Sequence, residues 1–413
     1  MLVINLFALL SVFILFLYCL KVNGRYFTII GLYGLIYLWP LVSCFYNDLG
    51  IWNFELRQFT FPSLSTSFLS IYIAVILLPL CFMALVTRSQ LYNRPAALLV
   101  SGKVRQISSI LVWLFLMVLA FDIVVRGINV FTYSFDRELI NSHYNAVTLL
   151  ALKYNFLFYF FAGMSSSQTK SKKLLIMIIL LQFLSGHKFS GIIDVLFWYF
   201  TAKLLFAQSR SSGQLLQENW KTFSILVVFF LVIAAGVYSV TDSDAVRELL
   251  FSRIFTFQGQ TWWFFYNIDV PSWILNDQLW LEAKAILNPD KNIITGVEYM
   301  MSFILSASEL AVAVERGYLY TFGYPTTFLA MGYPFIGLFV CFIVSASIVF
   351  LISRIRNVVS LIDFIHVAAI LTVLAGLLIF VQVGSISAFI TLGFLFKVFA
   401  LICLEVLKRG NHA

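Results

Sequence analysis

The stretch FLSGHKFSG, residues 183–191, decides how many times the chain crosses a membrane. It lies between the apolar runs 173–185 and 191–206, and its glycines and serines favour a tight turn. A single helix over 171–207 would rise by about 50 Å, whereas the hydrocarbon core of a bilayer is about 30 Å thick. The stretch therefore predicts two short helices that meet in a turn.

The composition is that of an integral membrane protein. Hydrophobic residues make up 61% of the 413 residues and charged residues only 11%, whereas about a quarter of a soluble domain is charged. The net charge of +8 comes mainly from cations in short gaps between apolar runs, as the positive-inside rule predicts, so nucleic acid is not an expected partner. The five cysteines show no paired spacing and are interpreted as small hydrophobic residues.

A membrane-spanning helix needs about 20 mostly apolar residues. The apolar runs predict an all-α polytopic fold with about 11 spans, including the two short helices beside the turn. They cover residues 2–20, 27–46, 66–86, 107–125, 146–165, 173–185, 191–206, 222–240, 326–351, 360–380 and 384–407. With the N-terminus outside, the cationic gaps fall on one side, which the positive-inside rule makes the cytoplasm.

The opposite side receives one long segment, residues 241–325, between the eighth and ninth predicted spans. We expect residues 1–413 to form a single membrane domain with this segment as its large periplasmic loop. The run 299–314 within the loop carries Glu309 and three serines. It is interpreted as an interfacial or re-entrant segment rather than as a further span.

The turn itself carries two ionisable residues, His187 and Lys188. Because the helix over 173–185 is short, the turn is expected to lie below the outer surface, where non-helical backbone needs a covering of protein or a wet cavity. Both side chains are therefore predicted to face a cavity open to the outside, with snorkelling of Lys188 to the headgroups as the alternative. Lys153, about 12 Å into its span, could line the same cavity or snorkel.

The long segment carries the densest polar chemistry. Arg247 and Arg253 lie on a predicted helix, which is followed by Gln260, Trp262 and Trp263. Guanidinium groups form paired hydrogen bonds to phosphate, and aromatic rings pack against sugars. These residues therefore suit a ligand with a diphosphate and a glycan. An amphipathic helix anchored at headgroup level explains the same residues equally well.

Other polar residues are interpreted as structural. Asp122 and Arg126 are four positions apart and are predicted to pair, and Asp363 and His366 are expected to form a local pair one turn apart. The sequence DSD, 242–244, resembles a metal-binding D-x-D motif but is favoured as a helix N-cap. The sequence has no P-loop, HExxH, GxSxG or CxxC motif, and neither a metal nor a cofactor is predicted.

The layout resembles the Wzy family of bacterial O-antigen and related polysaccharide polymerases. The resemblance rests on the number of predicted spans, one dominant late periplasmic loop, and the turn GHK at 186–188. The loop adds arginines with downstream glycine and glutamine, and YTFGYP at 320–325 and MGYPFIG at 331–337 precede the next span. As a pattern, the resemblance covers nearly the whole chain.

The resemblance implies a GT-C-like glycosyltransferase in the bacterial inner membrane, with an active site that faces the periplasm. It implies transfer of a growing glycan from undecaprenyl diphosphate to the next lipid-linked repeat unit, without a cofactor. The bilayer, the lipid-linked oligosaccharides and a chain-length regulator are the expected partners. An O-antigen ligase and a lipid-linked oligosaccharide flippase remain alternatives, although flippases usually show internal repeats, which we do not find here.

Within this resemblance, the expected roles fall to polar residues on the outer side. Fixed cations would stabilise the negative charge that grows on the departing diphosphate. Arg247 and Arg253 are expected to be catalytic in this way. His187 is the expected base for the acceptor hydroxyl, with Glu248 and Glu309 as alternatives on the same side. The expected substrate-binding residues are Lys188, Arg137, Lys153, Gln260, Trp262 and Lys291.

Overall fold

The computed structural model of the protein describes most of the chain between Met1 and Gly410. The described residues are 1–22, 26–53, 58–90, 98–129, 132, 140, 142–164, 168–185, 189–206, 257–267, 277–287, 296–303, 305–315, 324–330, 333–383 and 391–410.

The described residues are almost entirely helical. In chain order the helices are α1 (Leu2–Val22), α2 (Phe27–Tyr33), α3 (Trp39–Asn47), α4 (Ser65–Gln90), α5 (Gly102–Ala120), α6 (Ala146–Lys153), α7 (Asn155–Met164), α8 (Gln168–Leu184), α9 (Phe189–Phe206), α10 (Phe257–Asn267), α11 (Gln278–Leu287), α12 (Gly296–Met301), α13 (Ala307–Glu315), α14 (Tyr324–Ala330), α15 (Pro334–Arg354), α16 (Leu361–Val383) and α17 (Leu392–Gly410). A π-helical turn, Gly34–Leu38, joins α2 to α3, and another, Phe121–Val125, extends α5. The strands β1 (Trp52–Asn53) and β2 (Gln58–Phe59) pair in an antiparallel ribbon.

Among the described residues, six helices are long and apolar enough to cross a membrane. They are Leu2–Lys21, Phe27–Asn47, Ser65–Met83, Gly102–Val125, Phe335–Arg354 and Leu361–Gln382, and the bent pair α6 and α7 adds a seventh if it forms one span. This all-helical architecture is consistent with a multi-pass membrane protein. The predicted span over 222–240 lies outside the described residues.

Three predicted boundaries are wrong. The run 326–351 is divided between α14 and α15, because Pro334 lacks the amide hydrogen that a continuous helix needs and disfavours helical backbone at Tyr333. The last helix begins at Leu392 rather than at 384. Helix α8 begins at Gln168 rather than at 173, so it has 17 residues and rises by about 25 Å.

The run 299–314 does not form one helix. Helix α12 ends at Met301 and α13 begins at Ala307, and neither is long enough to cross a membrane. The amide nitrogen and hydroxyl of Ser306 donate to Glu309 Oε2, at 3.0 and 2.8 Å, and this cap starts α13. Glu309 is thus a capping residue, and its interfacial placement stays a prediction.

One end of the bundle collects the segments predicted to be cytoplasmic. The amide of Leu98 donates to the carbonyl oxygen of Leu205 at 3.2 Å, and the amide of Ser101 donates to that of Val358 at 3.0 Å. These bonds connect the segment before α5, the end of α9 and the segment between α15 and α16. The arrangement agrees with the alternation predicted from the cationic gaps.

Asp363 and His366 do not pair with each other, so that prediction is wrong. Asp363 Oδ1 lies 2.6 Å from Lys408 Nζ, and His366 Nε2 lies 3.2 Å from Glu405 Oε1. Both partners come from α17, which packs against α16. The two residues therefore join α16 to α17, and Asp363 also caps the start of α16 by accepting hydrogen bonds from the amide and hydroxyl of Ser360.

The C-terminal end of α8 packs against the segment after α5. Ile128, Ile140 and Tyr144 form a small buried cluster, against which Phe183 and Leu184 at the end of α8 pack. Helix α8 ends at Leu184 and α9 begins at Phe189, so a single helix over 171–207 is not formed. The predicted turn residues 186–188 lie outside the described residues.

Candidate functional site

The structure describes three of the predicted site residues, Lys153, Gln260 and Trp262. Arg137, His187, Lys188, Arg247, Arg253 and Lys291 lie outside the described residues. The chemical groups around the three described residues, all toward the predicted outer end of the bundle, define the candidate site.

Helix α10 packs against α3 and α4 at this end, and Gly259 makes the closest approach. The Gly259 amide donates to Ser43 Oγ at 2.9 Å. A Cβ at Gly259 would lie 2.2 Å from the Cys44 nitrogen and 2.4 Å from the carbonyl oxygen of Pro40. Only glycine fits such a contact with the α3 backbone, so α10 is fitted to the bundle rather than resting loosely on it.

Trp262 is a docking residue of α10. Its side chain is 2% exposed, and its Nε1 donates to the carbonyl oxygen of Ser65 at 2.9 Å. Its ring meets that of Tyr72 edge-on, with the centroids 5.2 Å apart. The neighbouring Trp263 donates in the same way to the carbonyl oxygen of Phe61 at 3.3 Å. This conformation offers no face of Trp262 to a sugar, and its polar edge is already bonded.

Gln260 has an unused hydrogen-bond acceptor. The residue is 3% exposed, and its Oε1 is buried without a hydrogen-bond partner within the described structure. Most buried side-chain polar atoms are hydrogen-bonded, to protein or to water. Gln260 is therefore placed to accept a hydrogen bond from a ligand or a water beside the docked helix.

A buried polar network, which no sequence pattern predicted, lies beneath α10. The Asp48 carboxylate is fully buried and accepts bonds from Asn5 Nδ2 at 2.8 Å, Ser63 Oγ at 2.6 Å and Ser65 Oγ at 2.9 Å. The amide and hydroxyl of Thr66 also donate to it, at 3.1 and 2.7 Å. These donors replace the hydration that the charge loses on burial, so Asp48 ties α1, α3 and α4 together.

Asp122 has a similar structural role at the end of α5, and its predicted pair with Arg126 is confirmed. Arg126 Nη1 lies 2.9 Å from Asp122 Oδ1. Thr148 Oγ1 donates to Asp122 Oδ2 at 2.6 Å, and Asn145 Nδ2 lies 3.2 Å from the same oxygen. Burial and the nearby Asp122 carboxylate raise the pKa of Tyr144 to about 12, against the opposing effect of Ser185.

The predicted span that contains Lys153 is divided into two helices at that residue. Helix α6 ends at Lys153, α7 begins at Asn155, and the two axes differ by 61°. The Lys153 side chain is exposed. Non-helical backbone at membrane depth is tolerated where it is buried in protein or lines a cavity, and broken helices mark substrate sites in many transporters.

A second cation, Lys397, lies beside this break. Its Nζ is 5.8 Å from the centroid of the Tyr154 ring, within the range of a cation–π contact. Lys397 is in the second turn of α17, about 8 Å along the helix from Leu392. The contact therefore brings a second positive charge to the break that carries Lys153.

Asp194 is an acid within an apolar helix, and no role for it was predicted from the sequence. It lies in the second turn of α9, six residues after Lys188, and its side chain is partly buried. The side-chain amide of Gln382, at the end of α16, hydrogen-bonds its carboxylate. An acid within the apolar run 191–206 is itself the signal that could have found it, since such residues are functional candidates by default.

Gln182 provides a further unused amide at the hairpin. It is 0% exposed, and neither Nε2 nor Oε1 has a hydrogen-bond partner within the described structure. Ser185 Oγ donates to its backbone carbonyl oxygen at 2.8 Å, which closes the last turn of α8. A buried amide whose nitrogen and oxygen both lack a partner among the described residues can hydrogen-bond a polar ligand or ordered water.

Cations, an acid and amides thus occupy the predicted outer half of the helices. Lys153 and Lys397 could bind phosphate oxygens, and Asp194 could accept a proton. No group of three or more metal-ligating side chains is found among the described residues.

A family model described as a family of unknown function, DUF6418, matches residues 290–398. The matched part includes α16 with Gln382 and the beginning of α17 with Lys397. Neither the curated proteins nor the solved structures give a significant match.

Proposed function

We propose that the protein polymerises undecaprenyl-diphosphate-linked oligosaccharide repeat units into O-antigen or a related surface polysaccharide. The observation that carries this proposal is the placement of Lys153, Lys397 and Asp194 toward one end of the bundle, where α10 is docked. The expected reaction is glycosyl transfer at the periplasmic face of the bacterial inner membrane, and it needs no cofactor.

The charges suit a diphosphate leaving group. As the bond between the anomeric carbon and the diphosphate breaks, negative charge grows on the departing oxygen, and fixed cations in a medium of low dielectric stabilise it. Lys153 and Lys397 are the cations that the described helices contribute. Removal of one such group typically slows a reaction by about a hundredfold or more.

The proposed architecture is GT-C-like, with about 11 spans and the segment 241–325 as a periplasmic loop. The docked helix α10 supports this arrangement, since it anchors part of that segment to the end of the bundle where α3 stops. Lipid-linked repeat units would enter from the bilayer, and a chain-length regulator is the further partner we propose.

A lipid-linked oligosaccharide flippase is the second candidate, and the broken span α6 and α7 favours it. An O-antigen ligase would share the donor chemistry and differ in its acceptor. Reconstitution in proteoliposomes with lipid-linked repeat units separates the three. A ladder of polymer supports the polymerase, movement of the lipid-linked unit without polymer supports the flippase, and transfer to lipid A core alone supports the ligase.

Lys397 offers a sharp test with a matched control. Lys203 also lies over a tyrosine, with its Nζ 5.6 Å from the Tyr199 ring centroid, but near the opposite end of α9. We expect Lys397→Ala to lower polymer formation by about a hundredfold, whereas Lys203→Ala stays close to wild type. Equal rates for the two variants would contradict the proposed diphosphate site.

A further inference from the structure

Asp194 differs from the other acids of the described membrane helices in how it is stabilised. Asp48 and Asp122 are surrounded by donors, and Arg126 adds a positive charge to Asp122. Asp363 and Glu405 are each paired with cationic or titratable side chains near the predicted cytoplasmic end. For Asp194, the interaction found within the described residues is the neutral amide of Gln382.

This difference has a chemical consequence. A carboxylate that several donors or a lysine hold in its charged form has its lone pairs occupied, so it is a poor proton acceptor. A single amide donor fixes the orientation of the Asp194 carboxylate but leaves lone pairs for a further proton donor. Asp194 is therefore arranged for proton transfer, whereas Asp48 and Asp122 are arranged to hold helices together.

The depth of Asp194 fits a substrate that is carried by a lipid. The residue lies about 8 Å along α9 from Phe189, where the helix leaves the short hairpin. Gln382 lies one residue before the end of α16, so both residues belong to the predicted outer half. Trp198, one turn further along α9, packs against Phe156 at the start of α7, with the ring centroids 5.5 Å apart. Asp194 therefore lies within about two turns of the break between α6 and α7.

We propose that Asp194 is the base that activates the acceptor sugar, with Gln382 as its positioning residue. This inference rests on the proposed polymerase function and replaces His187 in that role. The Asp194 carboxylate takes the proton of the acceptor hydroxyl while the acceptor oxygen bonds to the anomeric carbon of the donor. The bond from that carbon to the diphosphate breaks, its electron pair leaves with undecaprenyl diphosphate, and Asp194 later releases the proton to water.

The test uses the full-length protein in proteoliposomes with purified lipid-linked repeat units. Polymer formation is measured under single-turnover conditions, and binding of the lipid-linked donor is measured separately by native mass spectrometry. We expect Asp194→Asn to slow polymer formation by about a hundredfold or more while donor binding stays within about twofold. Asp194→Glu keeps the carboxylate, so it is expected to recover part of the lost rate.

Two controls separate proton transfer from loss of charge or of folding. Asp277→Asn removes an exposed acid from the external segment and is expected to keep the wild-type rate. Gln382→Leu leaves the carboxylate in place and removes its hydrogen bond. It is expected to lower the rate of the chemical step by about tenfold without changing donor binding.

The outcomes distinguish this inference from the function on which it rests. If the wild-type protein forms no polymer, the polymerase proposal and the inference about Asp194 are both contradicted. If the wild type forms polymer and Asp194→Asn does so at a similar rate, the inference is overturned and the polymerase proposal stands. If Asp194→Asn does not accumulate in the membrane, the rate and donor binding of Gln382→Leu provide the test. A slower chemical step with normal donor binding supports the inference, and a wild-type rate overturns it.

Discussion

The indole nitrogen of Trp262 donates a hydrogen bond of 2.9 Å to the backbone carbonyl oxygen of Ser65, 197 positions earlier in the chain. Ser65 begins α4, and its own hydroxyl donates to the buried carboxylate of Asp48. The bond thus connects a helix from the predicted external loop with the polar network at the end of the bundle.

Replacement of Gly259 by alanine is expected to displace α10. The added Cβ would lie 2.2 Å from the Cys44 nitrogen, and backbone atoms of α3 have little room to yield. We expect a lower melting temperature in detergent and faster proteolysis of the external segment. Gly102→Ala is the matched control, since a Cβ there meets nothing within 4 Å. Equal stability of the two variants would argue against the docked position.

Replacement of Asp48 by alanine is expected to weaken the whole end of the bundle. The change removes the acceptor for the side chains of Asn5, Ser63, Ser65 and Thr66, and leaves buried donors unpaired. We expect a loss of about 3 kcal/mol or more in the free energy of unfolding, measured by reversible denaturation in mixed micelles.

The control for Asp48 is Asp277→Asn, which removes an acid but keeps a side-chain oxygen at the position before α11. Asp277 is exposed, and its backbone oxygen, which the substitution leaves in place, accepts the Leu281 amide. A change within about 0.5 kcal/mol is expected for this variant. If Asp48→Ala lowers the free energy of unfolding by a similarly small amount, the side chains that donate to Asp48 must have found other acceptors.

Oxidation is expected to link Cys19 to Cys81. The two sulfur atoms lie 3.3 Å apart across α1 and α4, so small rotations bring them to the bonding distance of about 2.05 Å. Treatment of membranes with copper phenanthroline, followed by digestion and mass spectrometry, should reveal the linked peptides. Cys19→Ser should abolish this product, and its absence from the wild type would contradict the packing of α1 against α4.

Labelling from one side of the membrane is expected to separate Leu49 from Val359. Both side chains are exposed, Leu49 beside the Asp48 network and Val359 at the opposite end of the bundle. In a cysteine-free background, Leu49→Cys should react with an impermeant maleimide added to intact spheroplasts, whereas Val359→Cys should react only after permeabilisation. The reverse pattern would invert the predicted sidedness.

Several features could be predicted from the sequence because they depend on local properties. Apolar runs of the required length mark α1, α4 and α16, and the spacing of four residues correctly predicts the Asp122 and Arg126 pair. The one-turn spacing of Asp363 and His366 predicts a local pair, but their ion-pair partners, Lys408 and Glu405, come from α17. Helix periodicity shows which residues share a face, but not which helix packs against it.

By itself, the sequence determined that the chain is an all-helical protein with helices that can cross a membrane, because the length and hydropathy of a run are properties of the run alone. Only the tertiary structure decided what the polar residues do. Trp262 and Gln260 are neighbours in one motif. Trp262 is a hydrogen-bonded docking residue, whereas Gln260 Oε1 has no partner among the residues that the structure describes. Asp194 meets Gln382 only because α9 and α16, distant in sequence, are brought together by packing.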